Sequence, residues 1–277
     1  MPLNLMYITN SPEIAKIAVT SGVSRIFIDM EYIGKSERQG GMDTVQCHHN
    51  IKDIKNIKDT VCSAEIMVRV NPIHNSSSFF CSSEKEIDAS VCAGADILML
   101  PYFKTADEVK RFVNAVSGRV RTMLLIETPE AVQNIDEILN VDGVDELFIG
   151  LNDLSLGYGK RFMFELLSDG TVEQLCRKFR QRGLPYGFGG IAAIGKGAVP
   201  SEYIIKEHYR LGSTCAILSR SFCNTQNIID IEKIKSIFIN GVSQIRDLEA
   251  ECILKDKIYF DNNKRELDER IKVICGG

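Results

Sequence analysis

Two acidic residues, each at the end of an apolar run, are the first sign of chemistry in this chain. Met123 to Ile126 ends in Glu127, and Leu147 to Ile149 ends in Gly150-Leu151-Asn152-Asp153. Between them a helix is well signalled, with Thr128 as N-cap, Pro129 at the first helical position, and Val132, Ile135, Ile138 and Leu139 at helical spacing. The loop after that helix is short, so the two runs should be parallel neighbouring strands, roughly 4.8 Å apart. Glu127 and Asp153 then stand side by side at the carboxyl-terminal edge of a parallel sheet, where such sheets carry their chemistry. Two carboxylates with no histidine beside them make a hard, all-oxygen site. It suits Mg²⁺ or Mn²⁺, with water and substrate oxygens filling the remaining positions, and argues against zinc. A 2-oxo acid chelates such an ion through its carboxylate and keto oxygens. Arg69, at another strand end, would join the metal in stabilising an enolate. The backbone N–H groups of the turn from Leu151 to Leu154, beside Gly150 and Asn152, would receive the substrate carboxylate. The reaction class is enolate-forming carbon–carbon bond cleavage or formation. Structural explanations stay open for each acid alone: Asp153 can cap a helix, and Glu127 can sit in the favourable field of a helix start.

The elements that must hold these residues alternate along the whole chain. Strands read at Leu3–Thr9, Arg25–Glu31, Glu65–Asn71, Asp96–Pro101, Val120–Glu127, Glu146–Gly150, Pro185–Gly190 and Cys215–Phe222. Helices fill the gaps. Ser11-Pro12-Glu13 opens the first and Gly22 closes it, while Thr105 to Glu108 is a capping box. Eight such units predict an α/β fold, a (β/α)₈ TIM barrel with an extended C-terminal helix; a doubly wound open sheet is the competing architecture. The barrel is expected over residues 1–228. Residues 229–277 should form the final helix, with apolar positions from Ile231 to Cys252, and a charged remainder that adds a short helix or a tail. That helix would lie on its own barrel or on a neighbouring subunit. A long loop from Tyr32 to Asn50 breaks the regularity, and loops of that length tend to be functional.

Composition narrows the function classes. The chain has 277 residues, 44% hydrophobic and 25% charged, which is a globular balance. A net charge of −4 gives no pull toward nucleic acid or an anionic membrane. No apolar run approaches the ~20 residues of a membrane span, and the amino terminus does not resemble a signal peptide. Nine cysteines, an odd number without a Cys-x-x-Cys pair, read as reduced and mostly buried thiols. The expected location is the cytoplasm.

The strand ends together offer Asp29, Glu31, Arg69, Asn71, Glu127, Asp153, Gly189, Gly190, Ser219 and Arg220. The segments FIDMEYIGK, IMVRVNP, AGADILMLP, LLIETPEAVQNIDEIL and GVDELFIGLNDLS resemble the HpcH/HpaI family of divalent-metal 2-oxo-acid aldolases and citrate lyase β-subunits. The resemblance runs from about Ile26 to Phe222. It implies a metal-dependent (class II) lyase with Mg²⁺ or Mn²⁺ on Glu127 and Asp153. Arg69 would lie on the keto or enolate oxygen, with pyruvate plus an aldehyde as the partners of a 4-hydroxy-2-oxo acid. It also implies a homo-oligomer, often a hexamer. Free-acid aldolases of the family have an Asp-x-Glu-His run whose histidine helps to move the proton. Here the run is Asp29-Met30-Glu31-Tyr32, and a tyrosine with an ordinary pKa near ~10 is a poor base. His48 or His49, further along the loop, would substitute if the loop folds over the site; otherwise they are a solvated pair. Leu125 replaces a glutamine common in the aldolases, so the substrate is expected to differ; the FIDMEYIGKSERQ stretch resembles a subgroup associated with surface-polysaccharide gene clusters, which points to a sugar-derived substrate. Two alternatives accompany the aldolase reading: an acyl-CoA lyase of the citrate lyase β type, and a barrel that binds a 2-oxo acid or sugar acid without turnover. Gly190 to Gly197 nearly spells a P-loop but ends in glycine where Ser or Thr is needed, so it is discounted.

Overall fold

The computed structural model describes residues 1–35 and 49–276. Eight strands, β1 (Asn4–Ile8), β2 (Arg25–Asp29), β3 (Glu65–Arg69), β4 (Ile97–Leu100), β5 (Arg121–Ile126), β6 (Glu146–Ile149), β7 (Tyr186–Ile191) and β8 (Cys215–Leu218), pair in chain order. All pairings are parallel, and β8 returns to β1, which closes the sheet. The (β/α)₈ barrel is therefore the fold, and the open doubly wound sheet is excluded.

Alternation along each strand sorts side chains between barrel interior and helix layer. In β2, Ile26 and Ile28 pack into the outer core under the helices, while Phe27 belongs to the inner core. Arg25 and Asp29, two residues to either side of Phe27, share its inward direction. The interior is thereby layered. Its floor is ionic: Arg25 donates to Glu146 at 2.9 and 3.0 Å and to Glu65 at 2.9 and 3.1 Å, and Arg121 joins both acids. Its middle is apolar, with Phe27, Met67, Met99, Met123, Leu125 and Phe148. Its mouth is ionic again, with Asp29, Arg69 and Glu127. Register seats the floor and mouth across adjacent strands, pairing Arg25 with Glu65 and Asp29 with Arg69.

Three local readings change. The segment between β5 and β6 is not one helix but two short ones, Pro129–Gln133 and Ile135–Ile138. The break falls at Asn134, whose side-chain amide donates to the Lys104 carbonyl at 2.9 Å. The charged carboxyl-terminal remainder is neither short nor a tail. It forms an 18-residue helix, Lys257–Ile274, packed on the helices Ser201–Leu211 and Glu165–Ser168 of its own barrel. The long helix before it, Ile231–Ile253, is capped by Asp230 and packs on Pro12–Thr20 and Ser201–Leu211. That is the position of an eighth barrel helix. Among the described residues half of the cysteines are buried, rather than most of them. Cys176, Cys215, Cys223 and Cys252 are buried, Cys62, Cys81 and Cys92 are exposed, and Cys275 lies between. Among the described residues no helix is long and apolar enough to cross a membrane.

His208, in the helix Ser201–Leu211, lies flat on Phe188 of β7, with ring centroids 3.9 Å apart and planes within 2°. Burial pushes its imidazole down to about 3, against ~6.5 in an unfolded chain. The folded state therefore excludes a proton that the unfolded state takes up. Its contribution is complete above about pH 6.5 and is lost as pH falls, by up to ~1.4 kcal/mol per pH unit. Urea denaturation at pH 7 and pH 5 should show this loss, and His208→Gln should flatten it.

Candidate active site

Arg69 and Asp29 meet as a bidentate pair at the barrel mouth, with Nε to Oδ1 and Nη2 to Oδ2 both at 2.8 Å. The guanidinium also lies 3.3 Å from Glu31 and 5.6 Å over the ring of Phe27, the apolar layer below. A fourth charge completes the cluster. Lys35 reaches Asp29 at 2.6 Å and Glu31 at 3.8 Å, and is only 4% exposed. Two cations and two anions thus balance in one buried group. Burial opposes the charge on Asp29, but Arg69 and then Lys35 outweigh it and hold the carboxyl well below the usual carboxylate range. Burial likewise opposes the charge on Arg69, and Asp29, Glu31 and Glu127 keep it protonated.

The chain leaving β2 is pinned by Asn71. Its Oδ1 accepts the N–H groups of Tyr32 and Ile33 at 2.8 and 2.9 Å, while its own N–H and amide donate to Glu86. Asn71 is thus a support for the β2 loop. His49 is buried, and its Nδ1 accepts the Asp29 backbone N–H at 3.0 Å. The Tyr32 hydroxyl donates to the His49 carbonyl. His48 lies outside the described residues.

On the other side of Arg69, Glu127 is 4% and Asp153 7% exposed, and both line one cavity of 570 Å³ with Tyr102, Lys104 and Gln133. Glu127 follows β5 directly. Its Oε1 accepts the N–H of Tyr102 at 2.9 Å, a donor aimed by a left-handed backbone at Tyr102 (φ 49°). A non-glycine residue in that region marks stored strain. Thr128 caps the next helix by accepting the Ala131 N–H, so Glu127 is not needed as a cap. Asp153 is the third residue of the helix Leu151–Gly157 rather than its cap. The Gly150 N–H is used by the Ile126 carbonyl and the Leu154 N–H by the Gly150 carbonyl. Leu151 and Asn152 stand in the first turn, where N–H groups have no intrahelical acceptor.

A second, larger cavity of 650 Å³ holds the reach of Arg69 into solvent. It is lined by Asp29, Lys35, His49, Asn152, Arg220, Gly190 near the end of β7, and the loops after β7 and β8, including Ser219. Gly189 lies where β7 bends past Leu151. The near-P-loop segment lines part of this cavity, but its Gly195 N–H is taken by the Glu202 carboxylate, which is unlike a phosphate cradle. Two residues that the sequence reading did not select stand out. Lys35 falls within the long loop read from Tyr32, and its spacing of four from Glu31 is the signal that marks it. The Tyr102 N–H left no signal at all.

The donor set fits a hard divalent cation. Two buried carboxylates share one cavity, and among the described residues no group of three His, Cys, Asp or Glu side chains is placed to hold a metal. Such a site leaves most coordination positions to water and substrate, as Mg²⁺ and Mn²⁺ prefer and structural zinc does not.

A family model described as HpcH/HpaI aldolase/citrate lyase matches residues 4–162. A 2-keto-3-deoxy-L-rhamnonate aldolase of Escherichia coli is 25% identical over 210 residues, 64% of this chain and 70% of that protein. A hydroxypyruvate/pyruvate aldolase of Rhizorhabdus wittichii is 50% identical over 91 residues, 30% of this chain and 36% of that protein. The crystal structure of an HpcH/HpaI aldolase from Desulfitobacterium hafniense has the same fold, with a TM-score of 0.61 at 16% identity. The match covers 84% of this chain and 93% of that one.

Gly150 is where the backbone passes closest to the acidic pair. A Cβ there would lie 2.9 Å from both Cβ and Oε2 of Glu127 and 3.2 Å from Leu125. Gly150→Ala should therefore cost about 1–3 kcal/mol in chemical denaturation and turn Glu127 from its position in a crystal structure of the variant. An unmoved carboxylate at wild-type stability would show that the contact is slack.

Proposed function

The chain belongs to the HpcH/HpaI aldolase/citrate lyase family, and on that premise we propose that it is a divalent-metal-dependent aldolase. Its substrate is a 4-hydroxy-2-oxo acid, cleaved to or formed from pyruvate and an aldehyde. The observation that carries the reading is the pair of buried carboxylates, Glu127 and Asp153, in one cavity beside the held charge of Arg69. Glu127 and Asp153 would hold Mg²⁺ or Mn²⁺, which supplies Lewis-acid polarisation of the 2-oxo group when bound.

The rest is the work of the chain's own residues. In cleavage, the C4 hydroxyl gives up its proton, the C3–C4 electron pair moves into the C2–C3 bond, and charge gathers on the C2 oxygen. Arg69 answers that charge. Its fork is already oriented by Asp29, so little reorganisation accompanies the reaction. The N–H groups of Leu151 and Asn152 serve the substrate carboxylate. The aldehyde portion extends into the 650 Å³ cavity, where Asn10, Ser219, Arg220 and Asn224 offer polar partners. Such a lining suits a hydroxylated, sugar-derived chain, in keeping with the sugar-acid substrate in the name of the Escherichia coli relative. Self-association is supported by apolar side chains left in solvent where the last two helices meet, with Leu254 85% and Ile258 67% exposed.

Two measurements test this. Pyruvate release from a panel of 4-hydroxy-2-oxo sugar acids should vanish with EDTA and return with Mg²⁺ or Mn²⁺. Glu127→Gln and Asp153→Asn should each lower it by roughly 10²-fold or more; turnover indifferent to both would refute the metal assignment. Light scattering should give a mass above one chain, and a monomer would remove the self-association.

A further inference from the structure

We infer that Lys35 is the proton-transfer residue of this site: it takes the C4 hydroxyl proton in cleavage and returns it to the aldehyde oxygen in condensation. The inference rests on the aldolase reading above and goes beyond it, because that reading leaves the proton without a carrier.

Among the described residues, the other ionisable groups on the walls of the larger cavity are each disqualified by their surroundings. Arg69 and Arg220 do not release a proton under any ordinary condition. Asp29 accepts from Arg69 twice and from Lys35 once, and is held far from protonation. The Tyr7 hydroxyl is pushed up to about 12 by burial and donates to the Cys223 carbonyl. The Cys223 thiol is itself raised by burial to about 11. His49 fails for a geometric reason. A neutral imidazole takes a proton on its unprotonated nitrogen, and here that atom, Nδ1, already accepts the Asp29 N–H. Outside the cavity wall, Tyr32 has its hydroxyl directed at the His49 carbonyl.

Lys35 remains, and its placement suits the task. Lys35 lines the cavity with Arg69 and is 4% exposed, and its amino group sits 2.6 Å from Asp29. The backbone that carries it is fixed twice, by Asn71 on Tyr32 and Ile33 and by the Lys35 N–H on the Tyr32 carbonyl. In condensation, enolate C3 attacks the aldehyde carbon, the C=O π pair moves to oxygen, and that oxygen takes a proton from the Lys35 ammonium. The amine left behind regains a proton from water. Cleavage runs the same steps in reverse: the Lys35 ammonium first gives a proton to hydroxide, the amine takes the C4 hydroxyl proton as the C3–C4 bond breaks, and the ammonium so restored pairs with Asp29. A proton on nitrogen, delivered beside a carboxylate that cannot itself hold it, makes Asp29 the positioning residue of the pair.

Two reactions of the metal-loaded protein separate this role from a structural one. Cleavage of a 4-hydroxy-2-oxo acid needs a hydroxyl proton to be removed. Decarboxylation of oxaloacetate reaches the same pyruvate enolate with no such proton. Lys35→Met should lower kcat for cleavage by at least roughly 10²-fold while lowering decarboxylation far less. Lys35→Arg, which keeps the ion pair with Asp29 but cannot give up its proton, should show the same split. The inference is overturned if Lys35→Arg restores cleavage, since charge alone would then suffice. It is also overturned if both variants lose both reactions alike, which would mark Lys35 as a support for Arg69. A wild-type protein that releases pyruvate from neither compound overturns the aldolase reading and this inference with it. An active wild type with indifferent variants overturns only this one.

Discussion

A two-pronged ion pair between neighbouring strands, Asp29 on β2 and Arg69 on β3, is the constraint on which the mouth of this barrel depends. A guanidinium largely withdrawn from water is tolerable only when its charge is matched and its N–H groups are bonded. Once matched, it cannot swing. Its position then fixes where an oxyanion can be stabilised, how far the Glu127 carboxylate lies from a positive charge, and where Lys35 must sit to keep the cluster neutral. Removing either partner would leave an uncompensated charge in the interior, so geometry and stability here are a single property.

The same logic explains the layering below. A parallel barrel is filled by side chains, and period-two alternation sends every second residue of each strand inward. In β2 this puts Arg25, Phe27 and Asp29 on one line; in β3 it does the same with Glu65, Met67 and Arg69. The floor and the mouth are therefore ionic for the same reason, and the methionine and phenylalanine layer between them keeps the two charge clusters apart. Within that apolar layer Leu125 stands two residues before Glu127, and it brings the low-polarity interior up to the edge of the carboxylate pair.

The family match ends at residue 162, before β7 and β8. It thus contains Asp29, Arg69, Glu127 and Asp153, the residues assigned here to the pyruvate half of the substrate. The loops after β7 and β8, which line the larger cavity, lie beyond it. On the proposed function, the residues that meet the 2-oxo acid lie within the span of the family model, and much of the lining that meets the aldehyde comes from the loops after it. Lys35 sits at the junction of the two. A site with this division can keep one enolate chemistry while the aldehyde changes.

Local patterns in the sequence were enough to establish the alternation of strands and helices, the caps at Ser11, Thr105 and Thr128, and the acids at the ends of β5 and β6. Each of these depends on residues within a turn or two of one another, so spacing alone reveals them. The long amphipathic run from Ile231 was legible for the same reason, whereas the helix after it was not, since its charged surface hides a narrow buried edge of Asn263, Leu267 and Ile271. Tertiary structure alone decided which charges meet. Asp29 and Arg69 are 40 residues apart, and Arg25 and Glu146 are 121 apart. Nor could spacing show that His49 would turn its basic nitrogen onto a backbone amide, that the Tyr102 N–H would face Glu127, or that Lys35 would turn into the cavity rather than into solvent. Those outcomes follow from closure of the barrel, which brings distant strand ends within hydrogen-bonding distance and obliges each buried charge to find its counterpart there.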